Sequence, residues 1–349
     1  MRFIITAPSQ PHVAAIAKSI YETLKDFCSE GDMKFLTLPD FYDNCSYFER
    51  RITKFGIKNF ERNYNKNLTA ELENFCENFK PDFILVLNGT NIPVTIQKHL
   101  AQYKIFLWLW DTVKTYPRLQ NFVNCADKVF CFEYDDIKYL REKYQIDAQY
   151  LPLGADEKIF SPNENLARDI DISFIGTASK SRINILEKIC TRAIQENWAV
   201  KIGGLFYDTK HFWKKYLFDF KNSALAKFLD NRYFNPNEAA NLYRRSKICL
   251  NMNTVQHKSL SPRTFEICAT KSFQLMNSGQ NSQGLMNLET DLATFDSMED
   301  LLEKISFYLA NDDLREKIAL AGYNSVMKNC TLKKSVEKIL AQSARLKND

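Results

Sequence analysis

At 349 residues the chain is too long for one ordinary hydrophobic core, and two domains of roughly 150–180 residues each are expected. Its 45% hydrophobic and 13% aromatic content suits packed cores, no apolar run approaches the ~18–20 residues of a membrane span, and a formal charge of +5 with interleaved signs excludes a nucleic-acid signature while allowing loose attraction to an anionic membrane surface. Nine cysteines without CxxC pairs and only four histidines point to reduced, buried thiols in a cytoplasmic protein rather than to disulfides or zinc.

Met1–Ala7 reads as a short opening strand centred on Arg2–Thr6, too brief for a signal peptide. A helix with apolar residues at helical spacing follows over Val13–Phe27. Lys34–Leu38, Phe83–Leu87, Lys104–Trp110 and Lys128–Phe132 are further apolar runs of strand length, with helices over Thr69–Phe79 and Asp135–Tyr144 between them. Strands separated by helices imply a parallel, doubly wound sheet. Arg50–Leu68, rich in Asn, Lys, Arg and aromatics, has no clean period and reads as a solvated helix in preference to an inserted acceptor loop.

A break comes at Tyr150–Asp156, and the proline-bearing, acidic Ser161–Asp171 reads as linker. The pattern then restarts: strand Asp171–Ile175, helix Arg182–Asn197, strand Trp198–Ile202, helix Asn237–Arg245, strand from Lys247, strand Lys271–Met276. Helices Met298–Ala310 and Leu314–Met327 precede a final amphipathic stretch, Leu332–Leu346. Two successive Rossmann-like α/β domains are expected.

Ligand chemistry concentrates in the second half. Ser261 is placed to cap a helix that Pro262 opens, since proline lacks the N–H that the first helical position leaves unused. The free N–H groups and positive dipole end of such a helix seat phosphate, and Arg263 adds a forked, permanently charged contact. Glu266, one turn on, can accept from a sugar diol. These nine residues alone fit a capped, solvated surface helix equally well. Gly176, at the exit of Ile172–Ile175, lets backbone approach a ligand closely, and Thr177, Ser179, Ser181 and Arg182 suit a diphosphate. An ordinary strand–helix turn is the plain alternative there.

With Ser246–Asn253 before it and Lys271–Met276 after it, the Arg263–Ala269 segment (Arg-Thr-Phe-Glu-Ile-Cys-Ala) resembles the nucleotide-binding half of GT-B glycosyltransferases, most closely the spore-maturation CgeB-like branch with its Arg-x-Phe-Glu-x-x-Ala core. The resemblance implies a GT-B fold: residues 1–156 as the acceptor-side domain, 157–328 as the nucleotide-sugar domain, and 329–349 as a helix packing back on the first, with chemistry in the cleft between. It implies that Gly204 and Tyr207 border the nucleotide base, a core role fitting Tyr207 equally well, that Phe234 stands beside it, and that Asn253, His257, Lys258 and Thr264 surround the sugar and phosphates. Of the paired glutamates eight positions apart in retaining families, only the second resembles a residue here, Glu266; Lys258 stands at the first position, which puts retention by that route in doubt.

The loop Ala7–His12 resembles the Pro-x-Gln-Gly-His loop of inverting family-one glycosyltransferases, with proline replacing glycine before the histidine. There the histidine is the general base and an aspartate about a hundred residues on orients it, roles that fall on His12 and Asp111. A histidine near neutral pKa with a carboxylate partner suits that task. A helix-start histidine and a strand-end aspartate that never meet are the alternative, with Glu133 and Asp135 as weaker base candidates. Asn88-Gly89-Thr90, Trp108, Trp110 and Tyr116 are acceptor-site candidates, although aromatic residues of sheets are commonly core.

The expected activity is transfer of a sugar from a nucleotide-diphosphate donor to a glycan, glycoprotein or glycolipid acceptor. No metal and no separate cofactor are expected: Arg263, Arg182, Lys258 and helix dipoles would neutralise the leaving diphosphate. A non-transferring nucleotide-sugar enzyme of 2-epimerase type and a non-catalytic binding module remain the other readings.

Overall fold

Strands of a parallel sheet covered by helices on both faces are apolar almost without interruption, and this composition forms the frame of the chain. The computed structural model describes residues 1–38, 45–55, 58–89, 92–114, 117–253 and 258–348. The chain divides into two compact units, Met1–Leu153 with Ser335–Asp349, and Gly154–Lys334.

The first unit runs β1 (Phe3–Pro8), α1 (Pro11–Leu24), β2 (Met33–Leu38), α2 (Tyr47–Lys54), α3 (Asn59–Phe79), β3 (Phe83–Leu87), α4 (Val94–Leu100), β4 (Ile105–Leu109), α5 (Pro117–Val123), β5 (Lys128–Cys131), α6 (Tyr134–Tyr144) and β6 (Gln149–Tyr150). Its strands form one parallel sheet in the order β2-β1-β3-β4-β5-β6. All residues of β1, β3 and β4 are buried. Phe3, Phe83, Phe106 and Phe130 stack from strand to strand with centroids 5.6, 5.1 and 6.2 Å apart, each pair adding edge or offset-stacking attraction to its burial. Within Arg50–Leu68, residues 50–54 and 59–68 are helical, in α2 and α3. Its missing period has a plain cause: α3 fully buries only Leu72 and Cys76, both beyond that stretch. A capping box between Ser46 and Glu49 starts α2 instead of a buried face.

The second unit runs β7 (Ile170–Ile175), α7 (Lys180–Glu196), β8 (Val200–Gly203), α8 (Phe212–Lys221), α9 (Ser223–Phe228), β9 (Leu229–Asp230), α10 (Pro236–Arg244), β10 (Ser246–Asn251), α11 (Pro262–Ala269), β11 (Gln274–Asn277), β12 (Ala293–Phe295), α12 (Met298–Ala310) and α13 (Asp312–Asn329). Its parallel sheet has the order β12-β11-β10-β7-β8-β9. The linker expected over Ser161–Asp171 is instead stitched into this unit, and its last two residues open β7. Arg168 donates to the carbonyls of Arg244, Ser246 and Lys271 at 3.2, 2.9 and 2.7 Å, and Arg244 donates back to those of Ser161 and Ile159 at 2.6 Å each. A last helix, α14 (Leu332–Asn348), joins the first unit from Ser335 onward, where Ser335 donates to the Pro152 carbonyl and Lys104 to that of Leu346. Among the described residues no helix is long and apolar enough to cross a membrane.

Candidate functional site

Ligands of open parallel sheets bind outside the carboxyl ends of the strands where the strand order reverses. In the second sheet that point lies between β7 and β10, since β8 follows on one side of β7 and β10 returns on the other. The exits of these two strands carry Gly176–Ser179 and Met252–Asn253. Arg182, in the first turn of α7, spans them: it donates to the Thr177 carbonyl and hydroxyl at 3.0 and 3.3 Å, and through Nε and Nη2 to the Met252 carbonyl at 3.1 and 2.5 Å. Ser179 caps the same helix by accepting from the Arg182 N–H at 3.2 Å.

Glycine lets the neighbouring exits meet, for a reason other than ligand approach. A Cβ on Gly204 would stand 1.9 Å from the Gly176 carbonyl oxygen, and one on Gly176 would stand 2.6 Å from the Phe174 ring. One on Gly203 would enter the ring of Phe234 at 2.5 Å. The Arg232 guanidinium lies over the same ring, 4.2 Å from its centroid. Phe234 is therefore packed against protein groups, and Tyr207 packs on Phe218 with centroids 5.2 Å apart.

From the β10 side, Asn251 is fully buried and donates to Thr264 Oγ1 at 3.0 Å and Gln274 Oε1 at 3.3 Å, which pins the start of α11 to the strand end. Thr264 is itself fully buried, so its hydroxyl serves this pin. Ser261 occupies the cap position of α11 but makes no capping side-chain bond. Arg263 and Glu266 both remain partly open to solvent. Arg263 stands beside the Tyr243 hydroxyl, and its Nε is buried and meets no acceptor among the described residues. Asn251 Oδ1 and Asn253 Nδ2, at the β10 exit, are likewise buried without partners among the described residues. Such atoms are rare in native proteins and mark where a further group belongs.

Two guanidinium groups stand at close quarters here, with the Glu266 carboxyl beside Arg263. Burial, and then the charge of Arg263, pushes Arg182 down to about 10, so it still carries its proton at neutral pH. Burial raises the Glu266 carboxyl above its ordinary value, partly offset by Arg263. Burial also raises the Tyr233 phenol, helped by the negative charges of Glu266 and Glu238. Two guanidinium groups facing one region with a donor unmet make a seat for an oxyanion. Lys258 is exposed, with its carbonyl accepting from the Asn281 N–H at 2.7 Å; His257 lies outside the described residues.

In the first sheet the order reverses between β1 and β3. His12 is the second residue of α1, immediately beyond β1, and its side chain lies outside the described residues, as do Thr90 and Tyr116. Asp111 is half-buried beyond β4, two strands away from β1, a spacing of roughly 10 Å at the sheet. The carboxylate that organises the β4 exit is Asp136, which accepts from the Thr112 hydroxyl and the Val113 N–H at 2.8 Å each. Glu133 is buried and Asp135 exposed. Trp108 corrects the expectation of a sugar platform: it is fully buried and donates to the Leu151 carbonyl at 3.1 Å, with Trp110 edge-on to it. Asn88 and Gly89 both take positive φ, 64° and 71°, giving β3 a sharp exit.

Tyr243 was not singled out from sequence. It stands in a helical run, Ala239-Ala240-Asn241-Leu242-Tyr243, where the spacing marks core, and its hydroxyl contact with Arg263 has no sequence signal. Tyr233, adjacent to the chosen Phe234, offered only its aromatic type.

Residues 182–341 match a family model described as glycosyl transferase-like. The spore protein CgeB of Bacillus subtilis is 22% identical over 312 residues, covering 84% of this chain and 94% of CgeB. The Anabaena protein Alr3699/HepE, solved in complex with UDP and glucose, superposes with a TM-score of 0.72 at 10% identity over 99% of both chains. A putative UDP-N-acetylglucosamine 2-epimerase from Listeria monocytogenes shares the fold at a TM-score of 0.63 and 11% identity, over 100% of this chain and 97% of its own. Two six-stranded parallel sheets, each flanked by helices, give the chain the fold of these GT-B neighbours, and its second half carries the match to the glycosyl transferase-like family.

Proposed function

We propose that the chain transfers a sugar from a nucleoside diphosphate donor to a glycan, glycoprotein or glycolipid acceptor. The observation that carries this reading is the pairing of Arg182 with Arg263 at the β7/β10 switch point, where Arg263 Nε is buried with no acceptor among the described residues. A diphosphate supplies the missing acceptor and two negative charges. Glu266, further along the same helix, is suited to the ribose or sugar hydroxyls, and Tyr233 borders it. Arg182, Arg263, Lys258 and the α11 dipole would take up the charge of the departing diphosphate without a metal.

On the acceptor side His12 is the proposed base in an inverting transfer, with Asp111 orienting it through loops that must close the spacing between β1 and β4. The test is a thermal-shift screen of the whole chain against nucleoside diphosphates and their sugars. A ligand at 100 times its dissociation constant stabilises by roughly 2.7 kcal/mol, well within detection. Silence across the panel rejects the donor site. Epimerised sugar released from a bound donor without acceptor reassigns the chain to the non-transferring class.

A further inference from the structure

Helix α8 inverts the usual arrangement of a surface helix. At about 100° per residue, Phe212, Trp213, Tyr216, Leu217 and Phe220 share one arc of roughly 140°. That arc points to solvent: Phe212 is 88% exposed, Phe220 78%, Tyr216 74% and Trp213 51%. The opposite side is the anchored one. Phe218 is buried against Phe206 and Tyr207, and Glu187 of α7 accepts from the Ala224 and Leu225 N–H groups at 3.1 and 2.8 Å, fixing the following helix. The aromatic face is thus held outward by packing beneath it.

Lysines flank the arc on both sides. Lys214 and Lys215 pair with Asp208 and Asp219, while Lys210, Lys221 and Lys227 are exposed with no acidic partner among the described residues. Contiguous exposed aromatic surface of this kind marks an interaction site. A second copy docking face to face would set these lysines against one another. An anionic lipid surface instead takes the rings into its headgroup boundary and meets the ammonium groups with phosphate charge.

We propose that α8 is a peripheral membrane-docking helix that lies in the plane of an anionic bilayer, independently of the nucleotide-sugar reading. The test is co-flotation of the full chain with phosphatidylglycerol-containing vesicles and with phosphatidylcholine vesicles, at low and high salt. Binding is expected to the anionic vesicles alone, weakened by salt, with a blue shift in the fluorescence of Trp213 that W213F removes. The variant F212S/Y216S/F220S, altered only at exposed positions, should lose about tenfold or more in vesicle affinity at unchanged melting temperature. The variant K210E/K221E/K227E should lose binding to anionic vesicles as well. Absence of flotation, or equal flotation of either variant, overturns the assignment. A dimer in sedimentation that F212S/Y216S/F220S dissolves overturns it too, by giving the face to a second copy.

Discussion

Three glycines isolate the contact between the exits of β7 and β8. At Gly31 a Cβ meets nothing within 4 Å, and φ lies outside the left-handed range. Alanine there only restricts the unfolded chain and should be neutral or stabilise by about 0.4–1 kcal/mol. At Gly284 the space is equally open but φ is +74°, so alanine carries a left-handed strain of about 1–2 kcal/mol. At Gly204 φ is +135°, and the added Cβ would lie 1.9 Å from the Gly176 oxygen, against a closest realistic approach of 3.0 Å. The exits would have to part by about 1.1 Å, an overpacking cost of about 1–3 kcal/mol beyond the strain. For a unit of this size, 1 kcal/mol corresponds to about 2–4 °C, so Gly204→Ala should lower its melting temperature by about 10 °C and Gly284→Ala by about 4 °C. Differential scanning calorimetry reads both. Because Gly176 leads directly to Thr177 and the Arg182 brace, Gly204→Ala should also shrink the thermal shift with nucleoside diphosphates, while Gly284→Ala leaves it whole. Equal losses at 204 and 284 would refute the close contact of the two exits.

Arg263→Lys keeps the charge but loses the planar fork and the Nε donor, so diphosphate affinity by calorimetry should fall by about 1.5–3 kcal/mol; unchanged affinity removes Arg263 from the site. Glu266→Gln has a signed pH signature. The folded chain holds the Glu266 proton above the ordinary 4.5 while the unfolded chain has released it, so wild-type stability falls as pH rises from there to the raised folded value, and the penalty persists above it. The variant should therefore gain on wild type as pH rises through that window, and a melting-temperature difference independent of pH would disprove the raised value. His12→Ala should cut turnover by about 10²–10⁴-fold with donor binding intact, and adding Asp111→Asn should cost little more; near-normal turnover, or a retained anomeric configuration by NMR, moves the search to Glu133 and Asp135.

The frame of both sheets was legible because parallel strands buried on both faces leave runs such as Phe83–Leu87 and Ile105–Leu109 with no polar residue to blur them. What escaped lacks that periodic signature. The two-residue strands β6 and β9 are too short to carry a pattern. Helix α8 hides for a different reason: a reader of periodicity assigns apolar faces to the core, and here one buried phenylalanine anchors a helix whose other rings face water. The Ser161–Asp171 error has the same root. Proline and acids look like linker, and only the folded chain reveals that the Arg168 guanidinium holds three carbonyls from two separate segments.

At the site, the sequence offers residue types suited to a diphosphate without separating those placed to face a ligand from those that hold the frame. The distinction lies in how many donors of each side chain the protein itself consumes. A guanidinium has five N–H donors and no acceptor, so its demand is fixed. Arg168 satisfies its demand on carbonyls, a hydroxyl and Glu316, which makes it a structural clamp. Arg182 is intermediate, bridging Thr177 and Met252 across the switch point while remaining charged beside Arg263. Arg263 alone of the three keeps a buried donor without an acceptor among the described residues. A buried unmet donor costs about 1–3 kcal/mol, more for a charged group, so its persistence argues for an occupant that the described residues do not supply. The three arginines are indistinguishable by type in the sequence; their neighbours, drawn from segments up to 148 residues apart, decide which one keeps an unmet donor.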